Sequence, residues 1–231
     1  GKENAIPKEA KAVVSVRSCD ATTFEQSIKE SEAVWMQEIR ATEPYAKIEV
    51  EKTDIAADKV LDFHSTANVI YALWLSPDGV YRMSQEIKGM VQTSLNLGTA
   101  YLEDDKLVYK YLIRSNTAAG KKLLLERVTT FAKHLSGKVV TMSDYPAWEY
   151  KSDSQLRKIC VDSFTNVYGH EPEVTSIHAG LECGILAGKM PGVDMISFGP
   201  TLESVHTPDE CMDAASVERT WEYLLEILKS L

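Results

Sequence analysis

The sequence predicts a mixed chain. An α+β region over residues 1–147 carries a ferredoxin-like antiparallel sheet with helices on one face, and an α/β region follows over residues 148–231. Three observations point there. The apparent order of elements is β-α-β, an excursion, then β-β-α-β, after which helix and strand simply alternate past Pro146-Ala147-Trp148. The charge is uneven in the same way: residues 148–231 hold 14 acidic and 6 basic side chains, against 20 and 19 in residues 1–147. At 231 residues the chain is long enough for two modest domains, each able to bury a core.

The elements follow in order. Ala12–Val16 is short and β-branched, which predicts a strand. Thr22 or Thr23 offers an N-cap, and Phe24, Ile28, Val34, Trp35 and Ile39 recur at helical spacing over residues 24–39. Lys47–Glu51 alternates polar and apolar side chains, as a half-buried strand does. Residues 58–87 form the excursion, with an apolar helix over 67–75 closed by the turn signal Ser76-Pro77-Asp78-Gly79. Strands over 91–101 and 106–114 flank Glu103-Asp104-Asp105, a hairpin turn. A helix over 118–135 sets Leu123, Leu124, Val128, Phe131 and Leu135 on one side and ends at Gly137, and Lys138–Met142 returns as a strand.

Beyond residue 148 the pattern predicts helices over 153–168, 181–189 and 216–228, with buried strands over 174–178 and 195–198. Two strands cannot make a stable doubly covered sheet, so this region reads as the end of a domain that begins outside the chain.

Composition excludes several classes. The chain is 44% apolar and 26% charged, so it is expected to fold. A net charge of −9 argues against generic binding to nucleic acid or anionic lipid. No run of about 18 apolar residues occurs and the first ten residues lack a signal-peptide pattern, so neither membrane nor export is expected. Cys19, Cys160, Cys183 and Cys211 are widely spaced without a CxxC pair, as in a reduced cytoplasmic protein.

Two polar, glycine-bearing clusters sit at expected strand ends, where open α/β sheets place ligands: residues 178–184 and residues 197–210. His206, with Asp209 and Glu210 three and four residues on, suits a metal ligand, although a surface His above a Pro-Asp-Glu turn is the plainer reading. Glu182 suits a ligand or an acid/base, or simply a carboxylate at the positive end of a helix. Cys183 near His178 allows a thiol nucleophile, although a small core residue is the plainer reading. Arg114, followed by Ser115 and Asn116, could grip a carboxylate bidentately or stand as an ordinary Arg at a helix entry.

Taken together, NAIPKEA (4–10), TSLNLG (93–98), LIRSN (112–116), YPAWEYKSDSQL (145–156), IHAGLECGIL (177–186) and DMISFGPTLESVHTPDE (194–210) resemble the aminoacyl-histidine dipeptidases of the di-zinc metallopeptidase clan. The resemblance implies a lid domain over 1–147, used for capping and homodimerisation, and the C-terminal half of a zinc-peptidase catalytic domain over 148–231. It implies hydrolysis of dipeptides, Xaa-His among them, by a complete enzyme with two zinc ions. In that pattern His206 is a zinc ligand, Arg114 binds the substrate carboxylate, and Asn96, Gly180 and Glu182 serve the substrate or support the site. The remaining ligands and the general base belong to H-x-D and Glu-Glu motifs, neither of which occurs in this chain. One His cannot hold two zincs, so the chain alone is expected to be inactive and its general base to lie outside it. A non-catalytic dimerisation or binding module, and an aminoacylase of the same clan, remain as rival readings.

Overall fold

A computed structural model describes residues 2–53, 59–176, 182–205 and 207–231. The chain separates into two compact units, one of Lys8–Leu73 and one of Gly1–Pro7 with Trp74–Leu231.

The smaller unit is helical. α1 (Ala21–Ile39) follows a single 3-10 turn whose Asp20 takes an ion pair from Arg17 at 2.6 Å. The Glu32 carboxylate on α1 accepts the Ile48 N–H at 2.6 Å, which ties the segment after the helix back onto it. α2 (Phe63–Leu75) begins at Asp62, whose carboxylate accepts the Ser65 N–H at 2.8 Å and the Ser65 hydroxyl at 3.2 Å. Those bonds stabilise the anion and hold the Asp62 carboxyl below its ordinary range.

The larger unit contains an antiparallel sheet in the order β1 (Gly79–Met83), β2 (Val91–Glu103), β3 (Lys106–Ser115). The β2–β3 hairpin turns on Asp104 and Asp105, both in the left-handed region (φ 49° and 58°), as a two-residue hairpin loop requires. α3 (Ala118–His134) lies on one face of the sheet, where Leu124 and Val128 pack against Leu95, with Tyr81, Tyr111 and Ile113 around them. Thr117 caps α3 by accepting the Gly120 N–H at 3.2 Å. At the other end the left-handed residue is Ser136 (φ 58°) and not Gly137. The Gly137 N–H reaches the Ala132 carbonyl at 2.7 Å, and an added Cβ would stand 3.1 Å from that oxygen.

A second core joins α4 (Gln155–Tyr168) to α6 (Ala214–Ser230) through Cys160, Tyr223 and Ile227. The Tyr223 hydroxyl donates to the Cys160 carbonyl at 2.9 Å, and burial pushes its pKa up. α5 (Glu182–Lys189) stands between them in sequence, and a two-residue ladder pairs β4 (Leu202–Glu203) with β5 (Cys211–Met212). Asp213 caps α6, accepting the Ala215 N–H at 2.9 Å and pairing with Arg219 at 2.9 Å. Asp194 reinforces the start of α4. It accepts from the cap Ser154 at 2.8 Å and from the Leu156 N–H at 3.1 Å, with Lys151 at 3.9 Å.

The α/β mixture expected from the sequence is present, and the helices and the β2–β3 hairpin fall within a few residues of their predicted bounds. The strands differ. Residues 12–16, 47–51, 138–142 and 195–198, and the described part of 174–178, pair with nothing as strands, while the unforeseen β1 arises from the excursion. All three ladders among the described residues are antiparallel. A β-branched run supplies propensity, but a strand exists only where a neighbour's N–H and C=O groups complete the ladder. Ile196 still buries against the α4–α6 core, so its apolar character is used without a sheet.

Removing the α4 cap with Ser154→Ala should cost about 1 kcal/mol in chemical denaturation. Burial works to raise the Asp194 carboxyl, but the bonds from Ser154 and Leu156 and the charge of Lys151 outweigh it and hold the group below its ordinary value. The stability this lends is therefore complete above the ordinary carboxylate pKa of about 3.9 and is lost as pH falls through the lowered value. Acid titration of Asp194→Asn beside the parent chain should show that portion of the acid sensitivity removed.

Candidate functional site

The β2–β3 ladder decides which residues can share a site. Thr93 and Leu95 are buried, and the Thr93 hydroxyl meets Ser115 at 2.9 Å on the face covered by α3. An added Cβ at Gly120 of α3 would lie 2.5 Å from the Thr93 hydroxyl, so helix and sheet touch closely there. Side chains alternate across a strand, so Ser94, Asn96 and Arg114 stand together on the opposite face. Ser94 is directly paired with Arg114, and Asn96 with Leu112 two residues along.

That face is partly covered. The Asn96 amide donates both its hydrogens, to the Glu3 carbonyl at 2.8 Å and the Ala5 carbonyl at 3.0 Å. Gly98, two residues on, lets the same segment come close: an added Cβ would lie 2.5 Å from the Glu3 Cα. Lys110 pairs with Glu3 at 3.7 Å. The TSLNLG and NAIPKEA motifs are thus two halves of one contact, and Asn96 holds a backbone segment onto the sheet.

Arg114 is half-buried at the end of β3, four residues before α3. Glu182 is exposed in the first turn of α5, where its charge favours the helix dipole. Gly180 and His206 lie outside the described residues, as does His178. Of the described residues on either side of position 206, Leu202–Glu203 and Cys211–Met212 pair as the β4–β5 ladder, and the Thr207 N–H donates to the Ser204 carbonyl at 3.1 Å.

The glycines of the α5 motif have a packing role. An added Cβ at Gly184 would lie 2.7 Å from the Pro146 carbonyl oxygen, and one at Gly188 would lie 2.8 Å from Pro146 Cγ. Sequence reading assigns Gly184 and Gly188 no packing role. The i, i+4 spacing of the two glycines was the available sign of a close-approach face. Cys183, just before Gly184, is half-buried, and desolvation pushes the buried Cys160 thiol up, so Cys160 is not poised as a thiolate.

A cleft of about 300 Å³ opens between α4, α6 and residues 198–201, walled by Phe164, Tyr168, Phe198 and Tyr223 with His170 and Arg219 at its edge. It holds none of Asn96, Arg114 or Glu182. Its rings contact one another at centroid distances of 4.6–5.3 Å, so it is a gap in the aromatic packing of the α4–α6 core. Among the described residues, no three His, Cys, Asp or Glu side chains come together in a way that could hold a metal ion. None of their helices is long and apolar enough to cross a membrane.

The fold is that of a peptidase. It superimposes on the aminoacylhistidine dipeptidase of Vibrio alginolyticus with a TM-score of 0.82 and 29% identity, over 93% of this chain and 44% of that one. A fainter likeness of fold alone, with a TM-score of 0.50 and 19% identity, extends to the aminopeptidase PepT of Bacillus cereus over 72% of this chain and 45% of that one. The sequence is also 31% identical over 229 residues to the cytosol non-specific dipeptidase of Escherichia coli (strain K12), which is 99% of this chain and 47% of that protein. The model of peptidase family M20/M25/M40 matches residues 7–230, and the chain belongs to that family. It spans about half the length of the relatives it matches.

Gly184→Ala tests the α5 contact. Alanine improves helix propensity by about 1 kcal/mol, whereas forcing a methyl onto the Pro146 carbonyl costs about 1–3 kcal/mol. Net destabilisation should appear as a lowered Tm. Gly199→Ala, with nothing within 4 Å of the added carbon, should leave Tm unchanged.

Proposed function

We propose that this chain forms the lid, over residues 1–147, and the C-terminal part of the catalytic domain, over 148–231, of a metal-dependent dipeptidase. Its substrates are dipeptides with a free C-terminal carboxylate, Xaa-His among them. The observation that carries this reading is similarity to dipeptidases along essentially the whole chain, in sequence and in fold.

Each residue has a part in it. Arg114 receives the substrate carboxylate, since a guanidinium matches that group with two parallel hydrogen bonds. Asn96 supports Arg114 indirectly, by fastening residues 3–5 across the same sheet face. Glu182 and Gly180 support the substrate side from the start of α5, and His206 is a zinc ligand. The complete site holds two zinc ions, and its other ligands and general base come from residues other than those described, which assemble no metal cluster of their own. This polypeptide alone is inactive. The enzyme works in the cytoplasm as a homodimer joined through the lid, a role for which the exposed apolar side chains Phe63 (82% exposed) and Ile70 (59% exposed) of α2 are suited.

Elemental analysis after dialysis should find far less than stoichiometric zinc on the 231-residue chain; two zincs per chain would overturn the inactive-fragment reading. In the complete enzyme, His206→Ala should abolish zinc-dependent hydrolysis, and near-normal turnover would remove His206 from the site. Arg114→Ala should raise KM for dipeptides with a free carboxylate and spare their C-terminal amides, whereas equal losses on both would refute the carboxylate clamp.

A further inference from the structure

The YPAWEY motif has no part in the chemistry outlined so far, yet residues 144–152 touch three helices. At the α3 end, the Glu149 carboxylate accepts the Ala118 N–H at 2.8 Å. The Lys121 ammonium, one turn further along α3, donates to the Asp144 carboxylate at 2.6 Å and to the Tyr145 carbonyl at 2.5 Å. In the middle, Pro146 fills the notch left by Gly184 and Gly188 on α5. At the far end, Arg157 of α4 donates to the Lys151 and Ser152 carbonyls at 2.7 and 2.6 Å and lies over the Tyr150 ring at 4.5 Å. Residues 144–152 have no regular secondary structure, and these contacts, with the Lys151–Asp194 pair, hold them as a strap.

Arg114 is rigidly joined to the α3 end of this strap. Three residues separate it from Ala118, and two of them, Ser115 and Thr117, are linked through their hydroxyls at 3.3 Å in a network. Ser115 bonds Thr93 at 2.9 Å and accepts the Thr117 N–H at 3.2 Å, while Thr117 takes Gln92 at 3.3 Å and the Gly120 N–H at 3.2 Å. A carboxylate on the first free N–H of a helix is a charge-assisted bond favoured by the helix dipole. Glu149 therefore acts on the turn that follows Arg114 directly, and through Pro146 it ties that turn to α5, whose first residue is Glu182.

We propose that Glu149 is a positioning residue: by capping α3 it sets where the Arg114 guanidinium stands relative to the start of α5, and so how well a dipeptide's terminal carboxylate is held. This rests on the reading of Arg114 given above. In the complete enzyme, Glu149→Ala should raise KM about ten-fold for dipeptides with a free carboxylate, leave kcat unchanged and spare the C-terminal amides. Glu149→Gln, which keeps an acceptor, should restore most of the loss. In an Arg114→Ala background, Glu149→Ala should add nothing. Hydrogen exchange at the Ala118–Lys121 amides should quicken in Glu149→Ala. Equal effects on acids and amides, full additivity with Arg114→Ala, or unchanged exchange would overturn the positioning role while leaving Arg114 in place. An Arg114→Ala enzyme that treats acids and amides alike would instead overturn the carboxylate clamp, and the positioning role with it.

Discussion

The register of the β2–β3 ladder is the constraint on which the larger unit depends. Because side chains alternate, a slip of one residue would move Leu95 out from under α3 and turn Arg114 into the core. Two features hold the register. The tight turn at Asp104-Asp105 sets one end, and the contact of Leu95 with Leu124 and Val128 sets the face. The irregularity between Leu97 and Thr99 then brings Gly98 against the segment that Asn96 holds. Core, open face and N-terminal contact are therefore consequences of one pairing.

Close backbone approach organises the rest. Gly120 lets α3 settle on Thr93 and Ser115, and Gly184 with Gly188 lets residues 144–149 settle on α5. Any side chain at these points would push apart elements whose hydrogen bonds depend on the short distance. Charged groups then act locally, each at a helix start: Asp62 at α2, Glu149 at α3, Asp194 at α4 and Asp213 at α6. These four carboxylates are thus in use at helix starts, where such a charge is worth more than on open surface.

Membership of peptidase family M20/M25/M40 makes sense of this arrangement. A peptidase site assembled from distant stretches of chain needs its substrate-holding group carried on something rigid. A β-strand end followed by a capped helix is such a carrier, and the carboxylate role proposed for Arg114 draws on the rigidity of both. The described residues assemble no metal cluster of their own, in a chain that spans about half the length of its relatives.

Periodicity and end signals in the sequence were enough for the six helices, the β2–β3 hairpin and the family itself, since helices bond within themselves and tight turns depend on local residues. Strand assignments over 12–16, 47–51, 138–142 and 195–198 went astray for the complementary reason: a ladder needs a partner, and no local pattern reports whether one is present. The candidate site divides along the same line. Arg114 and Asn96 were legible as residues with a chemistry, but only the pairing of β2 with β3 set them on one face and showed that Asn96 spends its amide on Glu3 and Ala5. Glu149 stood in the sequence only as one residue of the 145–156 motif. The role proposed for it rests on a contact between residues 31 apart, which is a property of the folded chain and of no segment of it.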